Sequence, residues 1–298
     1  MHREALAASG VRLDTAQLSA RYGLKVAGAR PNLIEYTRSL WRYRHFISSF
    51  SEAKHVVAYS DARLGSLWSV LTPLVNAAVY FLVFGLLLDT RHGIHNYIAY
   101  LCAGVFIFGF TSKAVSAGIG SIADNLPLVR AEHFPRGCLP LSAAVAEFRQ
   151  MVATTTVFMV IVLATRETPR LSWLLVVPAV LLQAVFNTGL AFIVARLGAK
   201  LADLKQLSPW VLRVWMYTSG VFYSPAVFAH ALPGPAARAL QANPLLVFIE
   251  LVRGATIGFS QTDVPGVELW LIAVVWTVVV ALAGYIFFWR GEQEYGRG

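Results

Sequence analysis

Charge is what this chain is short of. Only 14% of its 298 residues are Asp, Glu, Lys or Arg, against roughly a quarter in ordinary soluble domains. From Ser66 to Leu88 there are 23 residues in a row with none. A helix of that length covers about 35 Å, more than a hydrocarbon core of about 30 Å. Arg63 and Asp89 bracket the run, so the charges stand where water begins. Cysteine is scarce too: Cys102 and Cys138 are the whole supply, too few for a disulfide framework and without metal-ligand spacing. The first 60 residues are polar and lack the apolar core of a secretory leader, which places the start of the chain in the cytoplasm.

The familiar catalytic motifs are missing as well. No lysine follows a glycine, so a G-x-x-x-x-G-K-[ST] phosphate loop is excluded, and no H-E-x-x-H, D-x-D or G-x-S-x-G occurs. These absences turn the reading away from an enzyme and toward a protein that moves or binds something, with no metal and no cofactor of its own. The net charge of +9 is explained by basic cytoplasmic loops rather than by nucleic acid.

What the chain has is apolar helix. Hydrophobic residues make up 57% of it, and the mean hydropathy is +0.59. The expected fold is an all-α membrane protein with six transmembrane helices. After Ser66–Leu88 the spans fall at Tyr97–Ile122, Leu141–Ala164, Leu171–Ala195, Leu207–Phe228 and Leu269–Trp289. Inner segments then hold 17 Lys and Arg against five on outer ones, which puts both termini inside the cytoplasmic membrane. Glu147 and Arg149 sit in the third span two residues apart, so they point to different sides and each needs a partner elsewhere. Gln183 and Asn187, four apart in the fourth, share a face suited to bonding a neighbouring helix.

The polar segments have their own pattern. Residues 1–31 form a polar extension. From Asn32, Leu33, Tyr36, Leu40, Tyr43, Ile47 and Phe50 recur at helical spacing with Arg38 and Arg42 opposite. This is an amphipathic helix for the membrane surface or for a partner, with Asn32 and Glu35 as a capping pair and a break near Ser51 where Lys54 falls on the apolar face. Residues 32–65 are read as this helix and an entry turn, and 66–298 as the transmembrane domain. Between Pro127 and Pro135 a helix of about two turns carries Arg130, Glu132, His133 and Phe134, a loop or a docking knob. Residues 229–265 are apolar but cut by four prolines, which suits re-entrant helices outside the membrane's inner face. There Asn243-Pro244 starts a helix in which Glu250 and Arg253, three apart, can pair.

Several of these stretches together resemble a known family. Arg63-Leu64-Gly65-Ser66-Leu67-Trp68 with Pro73, Tyr80 and Phe84-Gly85 looks like the entry to the first span of ABC-2-type exporter permeases. Phe134-Pro135 with Leu139-Pro140 looks like their inner coupling segment. Residues 219–225 (SGVFYSP), followed by Asn243-Pro244 and Arg253, are similar to their fifth span and outer helices. Within the family the chain most resembles exporters of polyprenyl-diphosphate-linked polysaccharide, such as O-antigen, teichoic acid or actinobacterial galactan.

The resemblance implies a homodimer with two separate nucleotide-binding subunits that hold ATP and Mg. It implies a channel near Asn76, Tyr80, Phe84, Trp215, Phe222 and Tyr223, whose rings suit the apolar faces of sugars. Arg38, Arg42 and Arg63 are then candidates for the lipid diphosphate, residues 130–134 for coupling to the ATPase, and Asn243, Glu250 and Arg253 for an outer gate. The alternatives are an ABC-2 permease for a drug or small lipid, and a membrane-embedded glycosyltransferase.

Overall fold

The computed structural model describes residues 32–59, 63–88, 94–132, 134–224, 241–258 and 266–295. The polar extension, His133 and the first half of the proline-cut outer region lie outside the described residues. Every regular element among the described residues is helical. In chain order they are α1 (Leu33–Arg42), α2 (Arg44–Tyr59), α3 (Trp68–Tyr80), α4 (Tyr97–Ala123), α5 (Leu126–Ala131), α6 (Cys138–Ala164), α7 (Val176–Lys200), α8 (Leu204–Thr218), α9 (Pro244–Thr256) and α10 (Gly266–Arg290). A 3-10 turn, Gly65–Leu67, leads into α3, which continues as a π-helix over Phe81–Leu87; another, Leu171–Leu175, leads into α7.

Five stretches among the described residues are long and apolar enough to cross a membrane: Val70–Leu87, Tyr97–Ala123, Cys138–Ala164, Leu171–Lys200 and Gly266–Arg290. The expected fifth span, Leu207–Phe228, differs from the rest. Its helix, α8, has 15 residues and stops at Thr218, and the chain turns at Ser219 and at Gly220, whose φ is +63°. Its last four expected residues lie outside the described ones. Even so, the segment runs alongside α4 for most of its length. Lys205 Nζ lies 3.1 Å from Asp124 Oδ1 just past the end of α4. The Tyr223 carbonyl accepts from Tyr100 Oη, 3.0 Å away, near the start of α4.

α4 is the centre of the bundle. Its most apolar stretch is 78% buried, against 11% for Val70–Leu87 on the periphery. Two helices cross others through glycine, as is common where lipid offers no hydrophobic drive and packing must do the work. On α7, a Cβ at Gly189 would come within 2.5 Å of the Val280 carbonyl of α10, and one at Gly284 of α10 would meet the Gly189 carbonyl at 2.1 Å. Between α4 and α7, Gly118 faces Ala191 and Gly198 faces the Ile119 carbonyl just as closely. The expected bonding of Gln183 and Asn187 is present at this same interface. Gln183 Nε2 donates to the Ile107 carbonyl (2.8 Å) and to Thr111 Oγ1 (3.0 Å), and Thr111 donates to Asn187 Oδ1 (2.8 Å).

The amphipathic segment departs from expectation in three ways. It is two helices, interrupted at Tyr43, and it does not break near Ser51 but runs on to Tyr59. Asn32 stands at the N-cap position without a side-chain capping bond, so the Asn32–Glu35 pair does not form. Part of the apolar stripe packs on the bundle: Tyr36, Leu40 and Ile47 are buried with Cys138 against Leu141, Tyr285 and Trp289. Lys54 is accommodated because its ammonium lies over the Phe50 ring, 5.0 Å from the centroid, and faces a polar cavity rather than lipid.

Gly189→Ala is expected to lower the thermal midpoint of the purified protein, because overpacking costs about 1–3 kcal/mol and the colliding atoms are backbone. Gly109→Ala, where nothing lies within 4 Å, should leave the midpoint unchanged; equal loss from both would contradict the crossing.

Candidate functional site

The residues singled out from the sequence gather at three levels along α4. At its Tyr97 end stands Arg253, fully buried on α9. A guanidinium has five N–H donors and cannot shed its proton, so inside a bundle all five need acceptors. Here all five have one. Nε and one Nη2 donor reach the Tyr100 carbonyl (3.2 and 3.1 Å), and the other Nη2 donor reaches the Val221 carbonyl (3.0 Å). Nη1 reaches the Gly220 carbonyl and Glu250 Oε1, both at 2.9 Å. The plane also lies over the Tyr100 ring, 3.3 Å from the centroid. The pairing of Glu250 with Arg253 anticipated from their spacing is therefore real, and both side chains are fully buried. Gly104 makes room for it: a Cβ there would stand 2.9 Å from Nη2.

Asn243 clasps the same region. Its Oδ1 accepts from Leu245 N, capping α9, and from Trp215 Nε1 at 3.0 Å. Its Nδ2 donates to the Thr218 carbonyl and Ser219 Oγ, both at 3.2 Å. One amide thus joins a residue assigned to the channel with one assigned to the gate. α9 has 13 residues, about 20 Å, too short to cross, and its residues 245–253 are buried.

Beside this anchor the aromatic residues meet. Phe222 stacks on Phe84 with centroids 4.3 Å apart and planes 9° apart. Tyr80 meets Phe222 edge-on at 4.7 Å, and Tyr217 lies 5.7 Å away. Phe222 is fully buried, so in this arrangement its ring packs α3 against the turn after α8 and offers no face outward. Tyr80 and Tyr223 are half-buried, while Asn76 is exposed on α3. Tyr217, exposed and in the same cluster, was not picked out from the sequence; its spacing from Trp210 and Val214 on α8 was the available signal.

At the Asp124 end of α4 lies the proline-bracketed segment expected to do the coupling. α5 has six residues, and Arg130 and Glu132 are exposed there. Phe134 is half-buried, its ring 5.4 Å from Phe46 of α2, so it is held under the amphipathic helix. The linchpin is Glu292, past the end of α10, which sequence reasoning missed because nothing local marks it. Tyr36 Oη donates to Glu292 Oε2 (2.7 Å) and accepts from Gly137 N (3.0 Å). Arg136 donates through its backbone N to Glu292 Oε1 (2.9 Å) and through Nη1 to the Glu292 carbonyl (3.2 Å). One carboxylate therefore ties α1, the coupling segment and the C-terminal turn together. Burial holds its pKa above the usual carboxylate value, partly offset by the Arg136 and Tyr36 hydrogen bonds.

Arg38, Arg42 and Arg63 are exposed and are not brought together with any of these clusters. The two charges of the third expected span point to different places. Arg149 bonds Ser48 Oγ of α2 at 2.8 Å, while Glu147 lines a polar cavity with Lys113. Among the described residues no group of His, Cys, Asp and Glu could hold a metal ion.

A helical bundle with five stretches long and apolar enough to cross a membrane, a buried short helix and a clasped turn after α8 has the build of a multi-pass membrane protein. The chain belongs to the ABC-2 type transporter family, whose sequence pattern matches residues 49–257. It is similar to an O-antigen export system permease protein, RfbA, of Myxococcus xanthus, 26% identical over 88% of this chain and 98% of that one. Two RfbA proteins of Klebsiella pneumoniae of the same description are 26% and 23% identical, over 75% and 78% of this chain and 84% and 89% of theirs.

Arg253→Met should cost about 3–5 kcal/mol in thermal or denaturant unfolding, since it strands Glu250 without its cation. Arg253→Met with Glu250→Gln should recover part of that loss; no recovery would show that the carbonyl contacts alone carry the site. Glu292 binds its proton more readily folded than unfolded, so its contribution is greatest below 4.5 and declines as pH rises toward its folded pKa. The thermal midpoint should accordingly fall across that interval in the parent protein and change less in Glu292→Gln.

Proposed function

We propose that this chain is the membrane-spanning subunit of an ABC transporter that exports a polyprenyl-diphosphate-linked polysaccharide of O-antigen, teichoic acid or galactan type across the cytoplasmic membrane. The observation that carries the reading is the near full-length similarity to O-antigen export permeases. ATP and Mg are bound by a separate nucleotide-binding subunit, two copies of which serve a homodimer of this chain. The excess of basic residues at the Asp124 end supports a cytoplasmic position for that end and for both termini.

In this scheme the channel runs between two copies of the chain, along α3 and α8. Their exposed faces, with Val75, Val79 and Leu82 on one and Trp210, Val214 and Tyr217 on the other, support that placement. Asn76, Tyr80, Trp215 and Tyr223 lie along it. Phe84 and Phe222 close it where they stack, and parting that stack would let sugar rings take their place. The Asn243 and Arg253 anchor shapes the exit. At the other end Arg130 and Glu132 meet the ATPase, and Phe134 passes the movement to α2 and, through Glu292, to α1.

The test is ATP-dependent transfer of lipid-linked glycan into vesicles, with and without the partner ATPase. Transfer should need both components and the chain alone should not hydrolyse ATP. Arg130→Ala with Glu132→Arg, both at exposed positions, should reduce transfer several-fold at unchanged expression. Unchanged transfer would remove the coupling role. Turnover of a nucleotide-sugar by the chain alone would favour a glycosyltransferase instead.

A further inference from the structure

A polar cavity of about 380 Å³ lies between α2, α4 and α6, at the lower end of the size range of ligand sites, roughly 300–1,000 Å³. None of the channel, gate or coupling residues named above lines it. Lys54 of α2, Lys113 and Ser116 of α4, and Glu147 and Gln150 of α6 do, with Asp124 at the rim. Lys113, Glu147 and Gln150 also border a narrow notch that continues between Pro73 of α3, Phe106 and Met151. The two form a groove with a charged mouth and an apolar tail.

Its charges feel one another but are not tied up in ion pairs among themselves. Lys113 is ten residues from the end of α4, about 15 Å in from that end. A lysine at such depth is expensive and is found where it serves a ligand, a pathway or a partner. Among the described residues neither lysine nor Glu147 is in a salt bridge, whereas Asp124 is bound by Lys205. Burial depresses the pKa of Lys54, with Asp124 only partly opposing it, so an arriving anion would favour its charged form.

We propose that this groove seats the head group of a sugar-bearing polyprenyl diphosphate. Lys54 and Lys113 take phosphate oxygens, Glu147 and Ser116 take hydroxyls of the first sugar, and the notch takes the start of the prenyl chain. The proposal rests on the export reading above and moves head-group recognition from the exposed arginines Arg38, Arg42 and Arg63 to the interior. The mixture of charges selects this ligand over a plain anionic phospholipid. Such a lipid would satisfy the lysines but bring at most the two flexible hydroxyls of a glycerol head to Glu147, whereas a sugar ring brings several hydroxyl donors at fixed positions.

The test measures binding of polyprenyl diphosphate N-acetylglucosamine to the full chain in phosphatidylcholine nanodiscs. Polyprenyl diphosphate without sugar and phosphatidylglycerol serve as the comparison ligands. Lys54→Gln and Lys113→Gln should each weaken the glycosylated probe about tenfold, the loss of one charge-assisted hydrogen bond. Lys113→Arg should retain binding, which separates a charge requirement from misfolding. Glu147→Gln should weaken the glycosylated probe and leave the sugar-free one unchanged.

Tight probe binding that is indifferent to Lys54 and Lys113, or lost on changing Arg38, Arg42 or Arg63, would overturn the groove and leave the export reading standing. Equal binding of phosphatidylglycerol would overturn it as a structural-lipid site. Absence of probe binding in the parent protein, with no ATP-dependent glycan transfer, would remove the export reading itself.

Discussion

A guanidinium that cannot give up its proton, placed where water does not reach, obliges the backbone around it to supply acceptors. Arg253 is that group, and the Tyr97 end of the bundle is built on meeting its demand. Two of the carbonyls it uses, those of Gly220 and Val221, are free because α8 ends at Thr218 instead of continuing as a helix. The third, of Tyr100, belongs to the first turn of α4, and the Tyr100 ring lies beneath the cation. The short buried helix, the turn after α8 and the start of α4 thus hold one another, and Asn243 repeats the lesson with a neutral amide. The aromatic stack of Phe84 on Phe222 is placed by that same turn.

The opposite end is organised by a carboxylate. Glu292 is buried with Tyr36 of α1 on one side and the backbone amide and guanidinium of Arg136 on the other. Its consequence is mechanical: the segment around Arg136 is tied both to α1 and to the C-terminal turn. Between the two ends the helices approach through Gly189, Gly284, Gly118 and Gly198, so close that no side chain would fit. In lipid such packing replaces the hydrophobic drive that water would supply. Rigid crossings in the middle and hydrogen-bonded anchors at each end leave α3 and α8, the least covered helices, as the elements with room to move.

Much of this was legible in residues alone. Apolar runs with few or no charges marked five long helical stretches to within about five residues, because a hydrocarbon core imposes a length and an exclusion that need no tertiary knowledge. The i, i+3 spacing of Glu250 and Arg253, and the i, i+4 spacing of Gln183 and Asn187, foretold polar contacts because helix geometry alone puts those pairs on one face. Asn243-Pro244 likewise announced a helix start, and the structure shows its capping bond. The failures are equally physical. Asn32 and Glu35 have the spacing of a capping pair, yet Asn32 makes no side-chain cap bond. The break expected at Ser51 rested on Lys54 falling on the apolar face, and the Phe50 ring and a polar cavity accommodate it there.

Sequence by itself determined which segments are long and apolar enough to cross a membrane, which polar groups within them had to find partners, and where prolines interrupt the helix. These follow from local rules: length, periodicity and the energy of a charge away from water. Only the tertiary structure decided who those partners are. The bonding of Tyr36 to Glu292 spans 256 residues, and part of the apolar stripe of α1 and α2 packs on the bundle itself. The turn that ends α8 likewise serves an arginine more than 30 residues further on. Contacts of that reach depend on how helices cross, and the crossing is set by side-chain volumes meeting across the whole bundle, which no single stretch of chain contains.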